Sequence, residues 1–267
     1  MIKIILSDID GTFLKDDKNP PALHEKAIKA VVAKGLKFVF VSARMPEAIY
    51  PITDKLGMAH TPVISYGGGF VLTEDEEIIF DKKIVAEDAL NILAAMNHWQ
   101  DITINYYTGR RWFVEEIDKR VQFEMDITGA TAEVKSFDEL LNENIPPNKI
   151  MAVCEPATCE EMERELGKKF PALNVVRSAP YLLEIMDKSV SKATGIEVLL
   201  KHYGFTLDEA IAFGDNYNDI EMLKLIPQSV VMANAPDAVK KLAAAVTDSN
   251  ENGGIYTYLV KTGIIKI

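Results

Sequence analysis

Short runs of apolar residues open the chain, and stretches with the pattern of helices separate them. The runs Ile2 to Leu6, Phe38 to Val41 and Pro62 to Ser65 have the length and the β-branched content of buried strands. Apolar residues recur at helical spacing from Leu23 to Val32, and Pro46 opens a second predicted helix. This order of strand, helix, strand, helix and strand predicts the α/β class, with a doubly wound, Rossmann-like parallel sheet.

The pattern changes between about Ala86 and Met186, where strands are predicted in pairs joined by tight turns. Such pairing indicates a largely antiparallel sheet with helices on one face, and therefore an α+β unit inserted into the first fold. The predicted helices are Ala86 to Trp99, Val121 to Met125, Phe137 to Leu141 and Cys159 to Phe170. The predicted strands are Ile102 to Tyr107, Trp112 to Glu115, Ala132 to Val134, Ile150 to Cys154, Asn174 to Arg177 and Leu182 to Met186.

The alternation of strand and helix resumes after Asp187. A helix is predicted from Ser191-Lys192 to Gly204, and the strand Ala210 to Phe213 leads into the acidic sequence Gly214 to Asp219. We therefore expect a core domain built from residues 1–84 and 188–267, with an inserted α+β domain of residues 85–187.

Composition narrows the class of protein. The chain has 267 residues, of which 48% are hydrophobic and 26% charged, which is the balance of a globular protein. A net charge of −11 argues against a nucleic-acid partner, and no apolar run is long enough to span a membrane. Two cysteines, Cys154 and Cys159, are too few for a disulfide framework and fit a reducing cytoplasm. Cys154 lies in an apolar run, which favours an inert buried thiol.

Candidate chemistry lies just beyond the ends of the predicted strands. Asp8 and Asp10 share one face if strand geometry persists, and a hard cation such as Mg²⁺ between them would remove their repulsion. Open α/β sheets form their sites at the carboxyl ends of the strands, so residues from separate strands are expected to meet there. The other candidates are Ser42, Lys192, Asp215 and Asp219. Carboxylates, a hydroxyl and a lysine on one edge suit phosphoryl transfer.

These candidates fall into four motifs: Asp8-Ile9-Asp10-Gly11-Thr12, Ser42, Lys192 and Gly214-Asp215-x-x-Asn218-Asp219. In this order they resemble the motifs of the haloacid dehalogenase superfamily of phosphohydrolases. The helix and strand order of Ala86 to Met186 is similar to the large α/β cap of the Cof-type subfamily. The resemblance covers essentially the whole chain, and it implies a magnesium-dependent phosphatase with a Rossmann-like core and an inserted cap.

The resemblance also implies a role for each motif residue. Asp8 matches the nucleophile that forms an aspartyl-phosphate, and Asp10 matches the general acid and base. Asp8, Asp215 and the backbone carbonyl of Asp10 are the implied metal ligands. The implied contacts to phosphate or substrate are Thr12, Ser42, Ala43, Lys192 and Asn218. Lys192 is also expected to pair with Asp8. Asp219 is expected to support the metal or Lys192 without contacting the phosphate itself.

Several other residues are less specific. Arg44 suits an anionic substrate and an ordinary surface charge equally well, and Asn234 fits a turn-stabilising role better than a contact at the site. The subfamily usually has an Asn-Gly pair where this chain has Tyr66-Gly67-Gly68-Gly69. The histidines have no metal-like spacing and are assigned no chemistry; they are His24, His60, His98 and His202.

The expected function is hydrolysis of a small phosphorylated metabolite, with phosphorylated sugars as the first candidates. A phosphomutase would have the same contacts to phosphate, and that alternative stays open. A non-catalytic protein that binds phosphorylated metabolites also stays open, although binding alone gains nothing from a nucleophile beside a proton donor. Since the core contacts only the phosphoryl group, the cap is expected to supply specificity. The sequence is compatible with a monomer or a homodimer.

Overall fold

The protein is described by a computed structural model of residues 1–266, in which the chain forms two compact units. The first unit contains residues 1–44 and 52–80 and the chain from Ser191 onward, and the second contains residues 45–51 and 81–190. Among the described residues, no helix combines the length and the apolar character that crossing a membrane requires.

The strands and helices follow in chain order. The strands are β1 (Ile4–Ser7), β2 (Lys37–Val41), β3 (Val63–Ser65), β4 (Phe70–Leu72), β5 (Ile78–Asp81), β6 (Thr103–Thr108), β7 (Arg111–Val114), β8 (Ala132–Val134), β9 (Lys149–Val153), β10 (Leu173–Ala179), β11 (Leu182–Asp187), β12 (Ala210–Gly214), β13 (Gln228–Val231) and β14 (Ala245–Val246). The helices are α1 (Ala22–Ala33), α2 (Pro46–Lys55), α3 (Ala86–Met96), α4 (Lys119–Thr128), α5 (Phe137–Asn142), α6 (Pro156–Lys169), α7 (Lys192–Tyr203), α8 (Ile220–Leu225), α9 (Asp237–Lys240) and α10 (Gly254–Lys261).

An eight-stranded sheet forms the centre of the first unit, in the order β14-β13-β12-β1-β2-β3-β4-β5. The strands from β14 to β3 run parallel, and β4 pairs antiparallel with β3. Strand β1 lies between β2 and β12, and all four of its residues are buried. The predicted doubly wound parallel sheet is confirmed, and the carboxyl ends of β1, β2 and β12 lie at one edge because these strands are parallel.

Both faces of this sheet are covered, as the apolar runs in its strands require. On one face Val39 and Val41 share a hydrophobic cluster with Leu199 of α7. Their neighbours Phe38 and Phe40 point to the opposite face, where their rings contact the ring of Phe13. Alternate residues of one strand therefore serve two separate parts of the core.

The second unit has a six-stranded sheet in the order β10-β11-β9-β6-β7-β8. Its neighbouring strands run antiparallel, except that β7 and β8 are parallel. Helices α3, α5 and α6 share one hydrophobic core with alternate residues of the sheet, such as Ile150 and Ala152. The largely antiparallel sheet is confirmed. Helix α6 begins at Pro156 rather than at Cys159, because proline is well suited to the first helical position.

The cysteines correct one prediction. Cys154 follows β9 and Cys159 lies in the first turns of α6; the structure joins their sulfurs in a disulfide, with their Cα atoms 6.0 Å apart. Both side chains are buried, as expected for Cys154. The predicted free thiol is wrong because the turn into α6 brings the second cysteine back against the first.

Candidate active site

Three buried aspartates converge where parallel strands end. Asp8 follows β1, Asp215 follows β12, and Asp219 closes the short 3-10 helix Tyr217–Asp219 behind the same strand. One carboxylate oxygen from each lies within 4.8 Å of the other two. The structure therefore brings together two predicted metal ligands and Asp219, which the resemblance placed behind them.

Lys192 is the cation of this cluster. It is the first residue of α7, whose N-cap Ser191 accepts a hydrogen bond from the backbone amide of Thr194. Its Nζ donates to Asp8 Oδ1 and, at 2.6 Å, to Asp219 Oδ1, and only 2% of its side chain is exposed. The expected pairing of Lys192 with Asp8 is present, and one lysine serves two carboxylates.

The turn after β3 fixes the start of α7. Gly68 has φ +105°, and a Cβ at this position would lie 1.8 Å from the backbone oxygen of Ser191. Only glycine allows this approach, which places Lys192 beside the sheet edge. The Tyr66-Gly67-Gly68-Gly69 sequence thus keeps a glycine turn at the point where the subfamily usually has Asn-Gly.

Asp215 is held by groups from two loops. Thr12 Oγ1 donates to its Oδ1 at 2.6 Å, so this hydroxyl contacts a carboxylate in the structure. Asn234 Nδ2 donates to the backbone oxygen of Gly11 at 2.8 Å and lies 3.4 Å from Asp215 Oδ2. Gly11 has φ +83°, and a Cβ there would lie 2.4 Å from Asp215 Oδ2. Asn234 therefore reaches the site, beyond the turn role that the sequence favoured.

The side chain of Asp10 lies in a different environment. Arg44 grips it with two hydrogen bonds, from Nε to Oδ2 at 2.9 Å and from Nη2 to Oδ1 at 2.8 Å. Lys18 Nζ lies 3.0 Å from the same Oδ1. Arg44 is thus a partner of a motif carboxylate. The contact of Lys18 was not predicted from the sequence, because Lys18 belongs to an irregular loop whose path no local pattern specifies.

The remaining predicted phosphate ligands lie on two loops. Ser42 follows β2 and is buried, its Oγ accepts a hydrogen bond from the backbone amide of Arg44 at 3.2 Å, and Ala43 lies between them. The backbone oxygen of Ser42 accepts a hydrogen bond from Gly67 at 2.9 Å. Asn218 is exposed on the loop that carries Asp215 and Asp219.

The two environments shift the pKa values of the aspartates in opposite directions. Burial, together with the charges of Asp219 and Asp215, raises the pKa of Asp8 even though Lys192 opposes the shift. Burial also raises the pKa of Asp215 to about 6. At Asp10 burial acts in the same sense, but the hydrogen bonds and charge of Arg44, aided by Lys18, lower the pKa below its ordinary value.

The buried cluster fits a hard divalent cation. Asp8, Asp215 and Asp219 together carry more negative charge than Lys192 can neutralise, and burial makes this excess costly. Carboxylate oxygens are the ligands that Mg²⁺ takes in proteins, usually together with phosphate oxygens of the substrate. The carboxylate of Asp10 faces Arg44 and Lys18, and its backbone carbonyl is the atom that the resemblance assigned to the metal.

Histidines contribute structure here. His24 is buried: its Nδ1 bonds the backbone oxygen of Phe13 at 2.8 Å, and its Nε2 accepts from the backbone amide of Ile255 at 3.2 Å. Burial lowers the pKa of His24 to about 4, which keeps the ring neutral. His24 therefore links two backbone segments through its ring nitrogens.

Comparisons with known proteins extend over nearly the whole chain. The profile of the haloacid dehalogenase-like hydrolases matches residues 5–259. A Haemophilus influenzae protein named "Putative phosphatase" is 32% identical over 256 residues, which cover 96% of either chain.

Solved structures agree with these sequence matches. A haloacid dehalogenase-like hydrolase from Bacteroides thetaiotaomicron superposes with a TM-score of 0.87 and 27% identity, covering 98% of this chain and 100% of the other. The structure of the HAD subclass IIB sugar phosphatase BT4131 has a TM-score of 0.83 and 26% identity, and it covers 98% of this chain and 100% of its own.

Proposed function

Because the chain belongs to the haloacid dehalogenase-like hydrolases, we propose that it hydrolyses a small phosphorylated metabolite with Mg²⁺ as its cofactor, through an aspartyl-phosphate on Asp8. It is a phosphoric monoester hydrolase, in keeping with the phosphatase names of its relatives. The observation that carries the mechanism is the pairing of Asp8 with Lys192 next to two further buried aspartates.

In the proposed first half-reaction, an Asp8 carboxylate oxygen attacks phosphorus and the ester P–O bond breaks. Asp10 gives a proton to the leaving oxygen. Lys192, Ser42 and the backbone around Ala43 hold the phosphoryl oxygens as charge develops on them. Bound Mg²⁺ would supply electrostatic stabilisation of the phosphoryl group, held by Asp8, Asp215 and the carbonyl of Asp10.

In the second half-reaction, Asp10 removes a proton from water, and the resulting hydroxide attacks phosphorus. Inorganic phosphate leaves and the carboxylate of Asp8 is restored. Asp10 must be protonated in the first half and deprotonated in the second. Arg44 and Lys18 lower the pKa of Asp10, so protonation of this carboxylate before the first half-reaction is opposed by both cations.

We further propose that the inserted α+β unit, the cap of the family, selects the part of the substrate beyond the phosphoryl group. A phosphorylated sugar is the first candidate, supported by the sugar phosphatase among the structural relatives.

Turnover of p-nitrophenyl phosphate, with Mg²⁺ or with excess chelator, tests this proposal. The wild type should release phosphate only with the metal, and Asp8→Asn should lose at least about 10⁴-fold in kcat because an amide is a poor nucleophile. Since the substitution removes one charge from an overly acidic cluster, the folded state should persist in circular dichroism.

Two further measurements separate the alternatives. Beryllium fluoride should be retained on the wild type but not on Asp8→Asn, and a panel of sugar phosphates should yield free phosphate rather than an isomeric sugar phosphate. Appreciable turnover by Asp8→Asn would sink the covalent mechanism, and isomer formation would indicate a mutase.

A further inference from the structure

Two neighbouring arginines of the second unit, one in a turn and the next at the start of a strand, have different partners. Arg110 lies in the turn between β6 and β7, and its Nε donates to Glu47 Oε1 at 2.6 Å. Its guanidinium also lies over the ring of Tyr50, 5.3 Å from the ring centre. Arg111, the next residue, instead makes two hydrogen bonds to Glu133 of β8, at 2.9 Å and 2.6 Å.

The turn that carries Arg110 is itself held in place. The backbone amide of Gly109 donates to Asn148 Oδ1 at 2.7 Å, and Lys83 Nζ donates to the same oxygen at 3.0 Å. Asn148 is buried, with 1% of its surface exposed. A buried amide therefore fixes the turn, and Arg110 extends from a rigid base rather than from a loose loop tip.

Glu47 and Tyr50 lie at the beginning of α2, immediately after the phosphate-binding turn. The structure groups residues 45–51 with the second unit, whereas the preceding residues through Arg44 belong to the first. Tyr66 and Gly67 fix the earlier part of the turn, because their backbone amides donate to the backbone oxygens of Arg44 and Ser42. Arg110 fixes the part that follows, through side chains on the first turns of α2.

We propose that Arg110 is a positioning residue for phosphoryl transfer. By holding Glu47 and Tyr50 it fixes the start of α2, and with it the direction in which Arg44 reaches Asp10. This inference rests on the proposed function, since it concerns the same reaction. Arg110 acts through Arg44, touches none of the reacting atoms, and serves every substrate equally.

The expected effect is modest. The side chains of Arg110 and Glu47 are 40% and 27% exposed, and ion pairs at such positions contribute little and weaken with salt. Arg110→Ala should therefore lower kcat for p-nitrophenyl phosphate roughly two- to fivefold while KM changes less. Arg111→Ala is the matched control, because it removes the adjacent arginine, at the start of β7, together with its own paired carboxylate contact.

A double-mutant cycle tests whether Glu47 transmits the effect. The loss of kcat in the double variant should be smaller than the combined losses of Arg110→Ala and Glu47→Ala, since both single changes break the same ion pair. The charge reversal Arg110→Glu with Glu47→Arg should recover part of kcat. A loss seen only with large substrates and not with p-nitrophenyl phosphate would overturn positioning in favour of a contact to substrate.

Hydrogen exchange gives a readout that is independent of turnover. Peptides that cover residues 42–50 should exchange faster in Arg110→Ala than in the wild type, whereas Arg111→Ala should leave them unchanged. If the wild type hydrolyses no phosphate ester, the proposed function fails, yet the exchange result still decides whether Arg110 holds the start of α2. Equal exchange in the two variants would refute the inference with an active or an inactive enzyme.

Discussion

Asp8 and Asp10 are separated by one residue, yet they belong to opposite electrostatic regions. Asp8 lies in a buried region with Asp215 and Asp219, where Lys192 is the cation that contacts it. Asp10 lies in a half-exposed region with two cations of its own, Arg44 and Lys18. The first region has an excess of negative charge and the second an excess of positive charge.

This difference suits two carboxylates with different tasks. In the proposed mechanism a divalent cation bound in the buried region would let Asp8 remain ionised as a nucleophile. Arg44 and Lys18 favour the ionised form of Asp10, the form that the proposed second half-reaction requires. Environments that push two carboxyl pKa values apart are a general way of separating nucleophile from acid.

The largest effect should follow the loss of the buried cation. Lys192→Met leaves three buried aspartates without a positive partner, and breaking such a pair costs about 3–5 kcal/mol of the free energy of unfolding. Urea unfolding in chelator measures this loss. Adding Asp8→Asn to Lys192→Met should restore part of the stability, because it removes one repelling charge. If the double variant is no more stable than Lys192→Met, charge excess does not govern this region.

The pH dependence of stability tests the same excess of negative charge at Asp215. Its pKa of about 6 lies above the ordinary 3.8, so the folded chain holds a proton there that the unfolded chain has released. Between about pH 4 and pH 6 the folded state binds more protons, and stability without metal must fall as pH rises through that window. The loss amounts to up to about 3 kcal/mol.

Asp215→Asn supplies the matched measurement for this pH effect. Its urea midpoint in chelator should fall less between pH 4.5 and pH 7 than that of the wild type, and the variant should need more Mg²⁺ for half-maximal activity. Identical pH dependence of the two proteins would show that Asp215 titrates normally.

The position of the buried region followed from the sequence, because it depends on strand ends. Asp8 and Asp215 closely follow apolar runs that predict buried strands, and parallel strands place their carboxyl ends together. Lys192 lies at the start of a helix that the sequence predicts from Ser191-Lys192 to Gly204. Strands and helices hold these residues in place, and the spacing of apolar residues along the chain predicts such elements.

The exposed region did not follow from the sequence in the same way. The contact of Lys18 with Asp10 depends on an irregular loop, in which Lys18 itself has φ +64°. The bond of Thr12 to Asp215 depends on the path of the chain after Gly11, and Asn234 comes from a loop distant in sequence. The disulfide between Cys154 and Cys159 depends on the turn that leads from β9 into α6. The path of the loops determines these contacts, and neither the burial of a residue nor the spacing of apolar residues along the chain predicts that path.

Arg44 tests the proposed role of Asp10 as the general acid and base. Arg44→Ala removes two hydrogen bonds that hold the carboxylate of Asp10. Because the acid is then less well positioned, kcat should fall roughly 10- to 100-fold. Without the guanidinium the pKa of Asp10 rises, so the limb of the pH–rate profile that reports Asp10 should move to higher pH. Arg44→Lys should restore only part of the rate, since an ammonium cannot form the paired bonds. An unshifted profile would mean that Arg44 does not control Asp10.

Substitution of Lys18 should have the smallest effect on kcat, and its salt dependence compares the exposed ion pair at Asp10 with the buried pair at Asp8. The side chains of Lys18 and Asp10 are 59% and 40% exposed, so solvent and salt screen the pair and Lys18→Ala should lower kcat by only about two- to fivefold. High salt should bring the wild type close to the variant, whereas the buried pair of Lys192 and Asp8 should respond little to salt. Lys15→Ala is the control, because Lys15 lies in the same loop and pairs with Asp17 instead, at 2.6 Å. Equal rates for the Lys18 and Lys15 variants would show that Arg44 alone sets the environment of Asp10. A loss confined to Lys18→Ala that disappears at high salt would establish that an exposed loop cation helps to hold the acid in its ionised form.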